Sequence, residues 1–346
     1  MGPVSDHPQK PFIIPVFIPH AGCPHRCAFC NQQSIAGQTR IPALSDIKAG
    51  IEKFLTFRKE NRTQTQISFY GGNFLGLPFS LCRELLGLAT RFVEDGKVNA
   101  IRFSTRPDTI TSDRLEMLED FPVATVELGA QSMDDQVLQA AHRGHSAADT
   151  ATAVKHLKAA GLEIGLQMMI GLPGDNHHKA LISGRRMADL KPDFVRIYPT
   201  LVLAKSLLGK WLKEGRYTPL ELEEAVDLTA RLYLLFKQNK ISVVRMGLQA
   251  SKALDRDADV LAGPYHPAFG HLVYARIFLD KVLNHPHMKN KTIDKTLHIK
   301  VHPRNVSRMR GLRDHNLKHL QAHYNLDQVT VSTDPSVALD RIVIQT

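Results

Sequence analysis

Residues 12–31 read FIIPVFIP, then HAG, then CPHRCAFCN: a short apolar stretch followed at once by Cys23, Cys27 and Cys30. Phe12 to Pro19 has the length and composition of a strand. Pro15 and Pro19 cannot donate to a ladder, so the strand belongs at a sheet edge or ends there. The loop after it holds three of the chain's four cysteines, and the fourth, Cys82, stands apart. Iron–sulfur clusters are held by cysteine thiolates, normally four. Three thiolates in C-x3-C-x2-C spacing would leave one iron without a protein ligand, and an open metal position is where chemistry occurs. Two other readings stand beside this one. Zinc takes four ligands, and His20 or His25 could complete a Cys3His site, which would make the loop part of a zinc-bound RNA-binding module. A disulfide framework fits poorly, because four cysteines in 346 residues, three of them crowded together, is not the usage of a stapled secreted domain.

Working outward from the loop, strand and helix signals alternate. Gln66–Tyr70, Ala100–Ser104, Thr125–Leu128, Leu162–Ile170 and Phe194–Tyr198 read as apolar strands. Helical spacing covers Leu81–Val93 and roughly 111–118, and Ser146 is a cap for a helix that Gly161 stops. With the strand at residue 12, this makes six strands with helices between them. The βαβα order predicts an α/β fold with a parallel sheet, and six units suit a partial (β/α)6 TIM-like barrel better than a closed eightfold one. Most strands end in glycine or polar residues, including Gly71-Gly72-Asn73, Thr105-Arg106 and Gly129-Ala130-Gln131. Active sites of such barrels gather at that face.

The remaining organisation is coarser. Residues 219–239 form an amphipathic helix read as a packing element. Periodicity breaks near 250–265, and a strand, helix, strand, strand pattern follows over 296–345. The expected units are a tail at 1–11, a barrel with helical extension at 12–250, and a small basic α/β module at 251–346. The net charge is +10, and residues 285–346 hold ten Lys/Arg against five Asp. A +5 terminal module points to a polyanion such as RNA, or to a merely solvated basic face. No run of about 18 apolar residues occurs, so no membrane span is expected. The first ten residues lack a signal peptide's apolar stretch, and thiol ligation favours a reducing cytoplasm.

Phe29 before the third cysteine completes a loop similar to the signature of the radical SAM superfamily. Residues 12–250 resemble the radical SAM domain of the Elongator catalytic subunit and of bacterial relatives without its acetyltransferase domain. The matching runs are Gly71-Gly72-Asn73-Phe74-Leu75-Gly76-Leu77-Pro78, Thr105-Arg106-Pro107-Asp108, Glu127-Leu128-Gly129-Ala130-Gln131-Ser132, Arg143-Gly144-His145, Tyr198-Pro199-Thr200-Leu201-Val202 and Gly215-Arg216-Tyr217.

The resemblance implies an enzyme with a [4Fe-4S] cluster on Cys23, Cys27 and Cys30, with S-adenosylmethionine on the open iron. Reductive cleavage then yields a 5′-deoxyadenosyl radical that takes hydrogen from substrate. It implies Phe29 and Ile170 beside adenine, Gly71 and Gly72 meeting the methionyl amine, and Asn73 where Glu or Thr is commoner. It implies Gln131 and Gln167 at the ribose and Arg143 at the methionyl carboxylate, for which a guanidinium fork is suited. Tyr198 and Arg106 are the substrate-side candidates, with the alternative that Arg106 pairs with Asp108. The implied partners are RNA, transfer RNA in particular, and an electron donor such as flavodoxin or ferredoxin. Radical chemistry on a small metabolite, as in the coproporphyrinogen oxidase branch, is the other enzymatic reading. The last hundred residues read as a short basic piece rather than an acetyltransferase domain.

Overall fold

The computed structural model describes residues 11–19, 23, 25–31, 41–59, 64–248, 260–289 and 295–345. His20 and the stretch 249–259, where the periodicity breaks, lie outside them. Six strands stand where the pattern puts them: β1 (Phe12–Ile18), β2 (Thr65–Gly71), β3 (Ala100–Thr105), β4 (Val123–Gln131), β5 (Glu163–Ile170) and β6 (Phe194–Pro199). After the two-residue β7 (Val202–Leu203), β8 (Ser242–Met246) adds a seventh strand to the same sheet, while β9 (Val260–Ala262) pairs with β7. The sequence pattern does not reveal β8, because it is a short edge strand, half-exposed, with Val244 37% accessible.

The sheet order β1-β2-β3-β4-β5-β6-β8 follows the chain, and every pairing in it is parallel. Parallel crossovers are right-handed. When each one steps toward the same edge, the helices collect on one face and the sheet curls around the other. The result is a half-barrel, open between β1 and β8 among the described residues.

Strand parity separates the two faces. Ile67, Phe69, Ile101, Phe103, Val126, Leu128, Ile164, Leu166, Val195 and Ile197 are all buried in the main core with the helices. Phe69, Phe74 and Phe103 stack there at centroid distances of 4.9 and 4.7 Å. Each such side chain contributes about 1.5–3 kcal/mol on burial. The alternate positions carry Gln66, Arg102, Glu127, Gln167, Arg196 and Tyr198, which meet one another or other polar groups instead. Parallel strands are usually apolar on both faces; here one face lines an interior that holds polar groups.

The helix caps follow the sequence. Ser146 and Asp149 form a reciprocal capping box, and Gly161 ends the helix at φ +71°. The packing helix Leu222–Gln238 buries Leu228, Leu232 and Phe236. β10 (Thr296–Val301) lies between β11 (Gln328–Thr333), parallel to it, and β12 (Ile342–Gln345), antiparallel. This small sheet has its own core, with Leu297, Ile299, Val301, Met309, Leu320 and Val329. The helix Phe269–Leu283 serves both cores. Phe269, Val273 and Ile277 face the first, and Phe278, Leu279 and Val282 the second. No described helix is long and apolar enough to cross a membrane.

Candidate active site

The cysteine loop leaves the C-terminal end of β1 and is stitched to its neighbours by backbone. Cys30 N–H closes a turn on the Cys27 carbonyl at 3.0 Å. Ala28 N–H bonds the Ala141 carbonyl at 3.0 Å, and the Ala28 carbonyl accepts from Leu208 N–H at 2.9 Å. Cys27 is buried, while Cys23 and Cys30 are half-exposed. Arg143, itself buried, donates from Nη1 to Cys27 Sγ at 3.3 Å and from Nη2 to the Gly129 carbonyl. Burial, and after it the neighbouring Cys27, raises the Cys23 thiol above its ordinary range. Arg143, Arg106 and the Asn73 backbone N–H pull the other way. Gly144 has φ +70°, and a Cβ there would lie 2.3 Å from the His25 ring, so only glycine lets His25 seat.

The end of β2 supplies the next wall. Gly71 has φ +108°, and a Cβ on it would lie 2.5 Å from the Phe17 ring and 2.8 Å from the Ile18 carbonyl. Glycine alone combines that backbone with that approach. Gly72 follows in a bend. The Asn73 side chain is buried, and its carbonyl oxygen accepts from Thr105 Oγ1 (2.6 Å), Arg106 N–H (3.0 Å) and Thr109 Oγ1 (3.0 Å). Asn73 therefore ties the ends of β2 and β3 together where Glu or Thr is commoner. Arg106 holds Asp108 with two bonds of 2.9 Å, the pairing that was the alternative to a substrate-side role. Its Nη1 stays buried without a hydrogen-bond partner.

Across the mouth, a register shift in β4 between Leu128 and Gln131 sets Gln131 at φ +67°. Its side-chain oxygen accepts from Gln167 Nε2 at 3.1 Å, so the two amides expected to act together do meet. Ile170 does not reach this space. Its side chain has the parity of the helix-facing residues and is fully buried in the main core. Met169, one residue earlier, has the inward parity and packs in a cluster with Phe29 and Tyr198. Strand alternation alone would have identified it. Tyr198 lies near Arg196, 3.4 Å from its Nη1, and burial raises its phenol.

His145 bonds the Ala130 carbonyl through Nε2 at 3.2 Å, and because a carbonyl only accepts, Nε2 carries the proton. Burial first, then the charges of Arg143 and Arg106, lowers its pKa to about 4. It is a neutral imidazole at neutral pH. Deeper in the barrel, Glu127 bonds Arg102 at 3.0 Å and Arg196 at 2.6 Å. Sequence reasoning gives Arg102 and Arg196 no role. The available signal was a charge inside each apolar strand, because buried charges must be paired.

Residues 17–182 match the model of the Radical SAM superfamily, and residues 192–278 match that of the Radical_SAM C-terminal domain. The chain belongs to the radical SAM superfamily. It is an enzyme of that superfamily. A relative named tRNA uridine(34) acetyltransferase, from Dehalococcoides mccartyi, is 38% identical over 230 residues, 57% of this chain and 50% of that protein. Elongator complex protein 3 of Saccharomyces cerevisiae is 30% identical over 142 residues, 40% of this chain and 26% of that protein. The chain thus spans half or less of these two relatives. The structure of archaeal Methanocaldococcus infernus Elp3 superposes with a TM-score of 0.61 over 77% of this chain and 63% of that one, at 21% identity. That likeness shows the fold.

Radical SAM membership implies an iron–sulfur cluster and S-adenosylmethionine, and the residues present fit both. The loop offers three thiols. Arg106 Nη1, Arg143 Nε and His145 Nδ1 are buried polar atoms without hydrogen-bond partners around it. Among the described residues no three His, Cys, Asp or Glu side chains converge as ligands of one ion. Thiolates that each serve a different iron of a cluster need no such convergence.

Proposed function

We propose that Cys23, Cys27 and Cys30 hold a [4Fe-4S] cluster whose open iron binds S-adenosylmethionine, and that the enzyme modifies RNA, transfer RNA in particular. When bound, the two groups would supply a 5′-deoxyadenosyl radical able to take a hydrogen atom from substrate. The observation that carries this reading is the meeting of the cysteine loop with Arg143, bonded to Cys27 at 3.3 Å, and with the Asn73 backbone, at one barrel mouth.

In this reading the chain's residues bind and orient. Arg143 offers its guanidinium to the methionyl carboxylate, a charge-assisted pairing. The backbone at Gly71 and Gly72 meets the methionyl amine. The linked amides of Gln131 and Gln167 take the ribose hydroxyls. Phe29 and Met169 cover the adenine and exclude water. Asn73 holds the β2 and β3 ends in register, and Arg106 positions the loop by its charge near Cys23. Tyr198 is the substrate-side group. We also propose that residues 12–250 act as the catalytic unit and 251–346 as the basic module that meets RNA.

The RNA part rests on two supports: the +5 charge of residues 285–346 and the relative named for tRNA uridine 34. Acetylation is not carried over, because the chain covers half of that protein. The test is anaerobic incubation of reconstituted enzyme with dithionite and S-adenosylmethionine, with and without bulk transfer RNA. Transfer-RNA-stimulated 5′-deoxyadenosine and a mass shift in one nucleoside are expected. Protein that carries zinc and no sulfide after anaerobic purification would sink the enzymatic cluster. Turnover unaffected by RNA but stimulated by a small-metabolite extract would move the substrate to that class.

A further inference from the structure

The motif Gly215-Arg216-Tyr217 has no part in the site above, yet it builds a cavity beside it. Tyr217 is buried and donates its hydroxyl to the Gly171 carbonyl, at the end of β5. This fixes the next residues as one wall of a space of about 460 Å³, lined by Leu172, Pro173, Asp175, His142, Trp211 and Arg216 among others. That size falls within the ~300–1,000 Å³ of small-ligand sites. The lining includes none of the residues assigned to the cluster or to S-adenosylmethionine.

Its lining sets an aromatic ring beside a cation. Trp211 is half-buried, with the Arg216 guanidinium 5.2 Å from its ring centroid and the His142 ring edge-on at 5.5 Å. Arg216 also pairs with exposed Glu214 at 3.1 Å, a weak surface interaction that a phosphate can replace. The Asp175 carboxylate accepts from the backbone N–H groups of Gly171 (3.1 Å) and Asn176 (2.9 Å), which fixes an acceptor at the cavity wall. Buried Leu172 and Pro173 add apolar surface. An indole platform, a cation over it and a fixed acceptor are what a nucleobase with its phosphate requires.

The cavity does not end there. His142 also lines a second, larger space of about 830 Å³ with His25 and Arg26. The carboxylates in that space are engaged as caps: Asp135 accepts from Ala147 N–H at 2.7 Å, and Asp149 from Ser146 N–H at 2.7 Å. His25, Arg26 and His142 remain to meet a backbone.

We propose that the Trp211 cavity is a subsite for one base of single-stranded RNA, with the ribose–phosphate chain passing His142 into the larger space. This rests on the RNA reading above and adds a defined binding point to it: a nucleotide held on the outer flank of the cysteine loop while a neighbouring one faces the mouth.

Trp211 is the chain's only tryptophan, so its fluorescence reports this cavity alone. The reconstituted chain of 346 residues is titrated at fixed salt with bulk transfer RNA and with a single-stranded oligoribonucleotide. Affinity is measured in parallel by filter binding. The expected result is saturable quenching that tracks binding. Trp211→Ala and Arg216→Ala should weaken binding about tenfold, as removal of one stacked base does, and Trp211→Phe by less than threefold. Because Trp211 also packs against the buried cluster that holds Ala28 of the cysteine loop, an iron-depleted Trp211→Ala hands the decision to Arg216→Ala, which alters an exposed side chain. Binding with unchanged Trp211 emission, or alanine variants of Trp211 and Arg216 that both bind within twofold of wild type, overturns the subsite and leaves the RNA reading standing. Wild type without salt-sensitive affinity for transfer RNA overturns both.

Discussion

Phe103 and Arg102 are neighbours on β3, and the two faces of the half-barrel differ as they do. Phe103 is fully buried against the helices and stacks on Phe74. Arg102 is also buried, but on the inner face, where it meets Gln66 and Glu127. The helix-facing side chains hold the curl by apolar packing, which tolerates substitution of similar volume. The inner face is held by charge and hydrogen-bond pairing, which does not. Stability and chemistry are thus separated by parity along single strands, and the separation can be tested one residue at a time.

The largest effect belongs to the cysteines. Cys23→Ser, Cys27→Ser or Cys30→Ser should each lower bound iron severalfold and bring 5′-deoxyadenosine formation to background. Cys82→Ser is the counterpart on the apolar side. Cys82 sits fully buried in the main core and donates to the Phe74 carbonyl at 3.3 Å. The Cys82→Ser variant should keep its iron and lose only stability. Iron analysis of anaerobically reconstituted protein reads both, and a Cys82 variant without iron would break the separation.

Next come single substitutions on opposite faces. Phe103→Ala opens a cavity in the stack and should cost about 3–5 kcal/mol. Glu127→Gln leaves two buried guanidiniums without their countercharge and should cost a similar ~3–5 kcal/mol. The two differ in what rescues them. Phe103→Leu should recover much of the deficit, because volume is what that face needs. Glu127→Leu should recover none, because Arg102 and Arg196 would still be unpaired. Denaturant unfolding of the four variants decides it, and recovery by Glu127→Leu would refute the charge account.

This contrast also explains what was legible in the sequence. The helix-facing parity produced the apolar runs from which six strands, their order and the half-barrel were read. β8 escaped because an edge strand buries little and its pattern is faint. The cysteines, Gly71, Asn73, Gln131, Arg143 and Gln167, singled out by strand-end motifs or by family resemblance, lie together at the mouth. Ile170 falls on the helix-facing parity, which the sequence left open because apolar residues occupy both parities near the end of β5, where Met169 turns inward and Ile170 does not. The triad of Arg102, Glu127 and Arg196 was not read because its members come from three strands, and a charge inside an apolar strand signals that a partner is needed without saying which one.

A smaller effect separates two buried titratable groups by the sign of their pH response. The pKa of His145 is about 4 in the fold against about 6.5 unfolded. Between those values the unfolded chain takes up a proton that the native state refuses, so acidification removes stability. From pH 7 to pH 5 this amounts to roughly 2 kcal/mol. Asp175 runs the other way. Burial raises its pKa to about 6, so below that pH the native state binds the proton more tightly than the unfolded chain. The same acidification then adds about 1 kcal/mol. The wild type should change little between pH 7 and pH 5. His145→Gln should gain stability on acidification, and Asp175→Asn should lose it. Parallel slopes in the two variants would show that these groups do not govern the response.

The smallest effect concerns the other pair of regions, the half-barrel and the basic C-terminal sheet. Arg313 and Lys318 are exposed, Arg313 just before the helix His315–Tyr324 and Lys318 within it. Neither is buried in either core, so removing them should leave unfolding unchanged. If the module meets RNA phosphates, each phosphate interaction removed should flatten the dependence of log binding constant on log salt by somewhat less than one. Arg313→Ala with Lys318→Ala should therefore lower affinity most at low salt, and the wild-type and variant curves should converge as salt rises. Cluster content and 5′-deoxyadenosine formed without RNA should stay as in wild type, because neither residue touches the mouth. A double variant with the wild-type salt slope would move RNA binding off this helix and back to the barrel's own rim, where Arg26 and Arg216 are exposed.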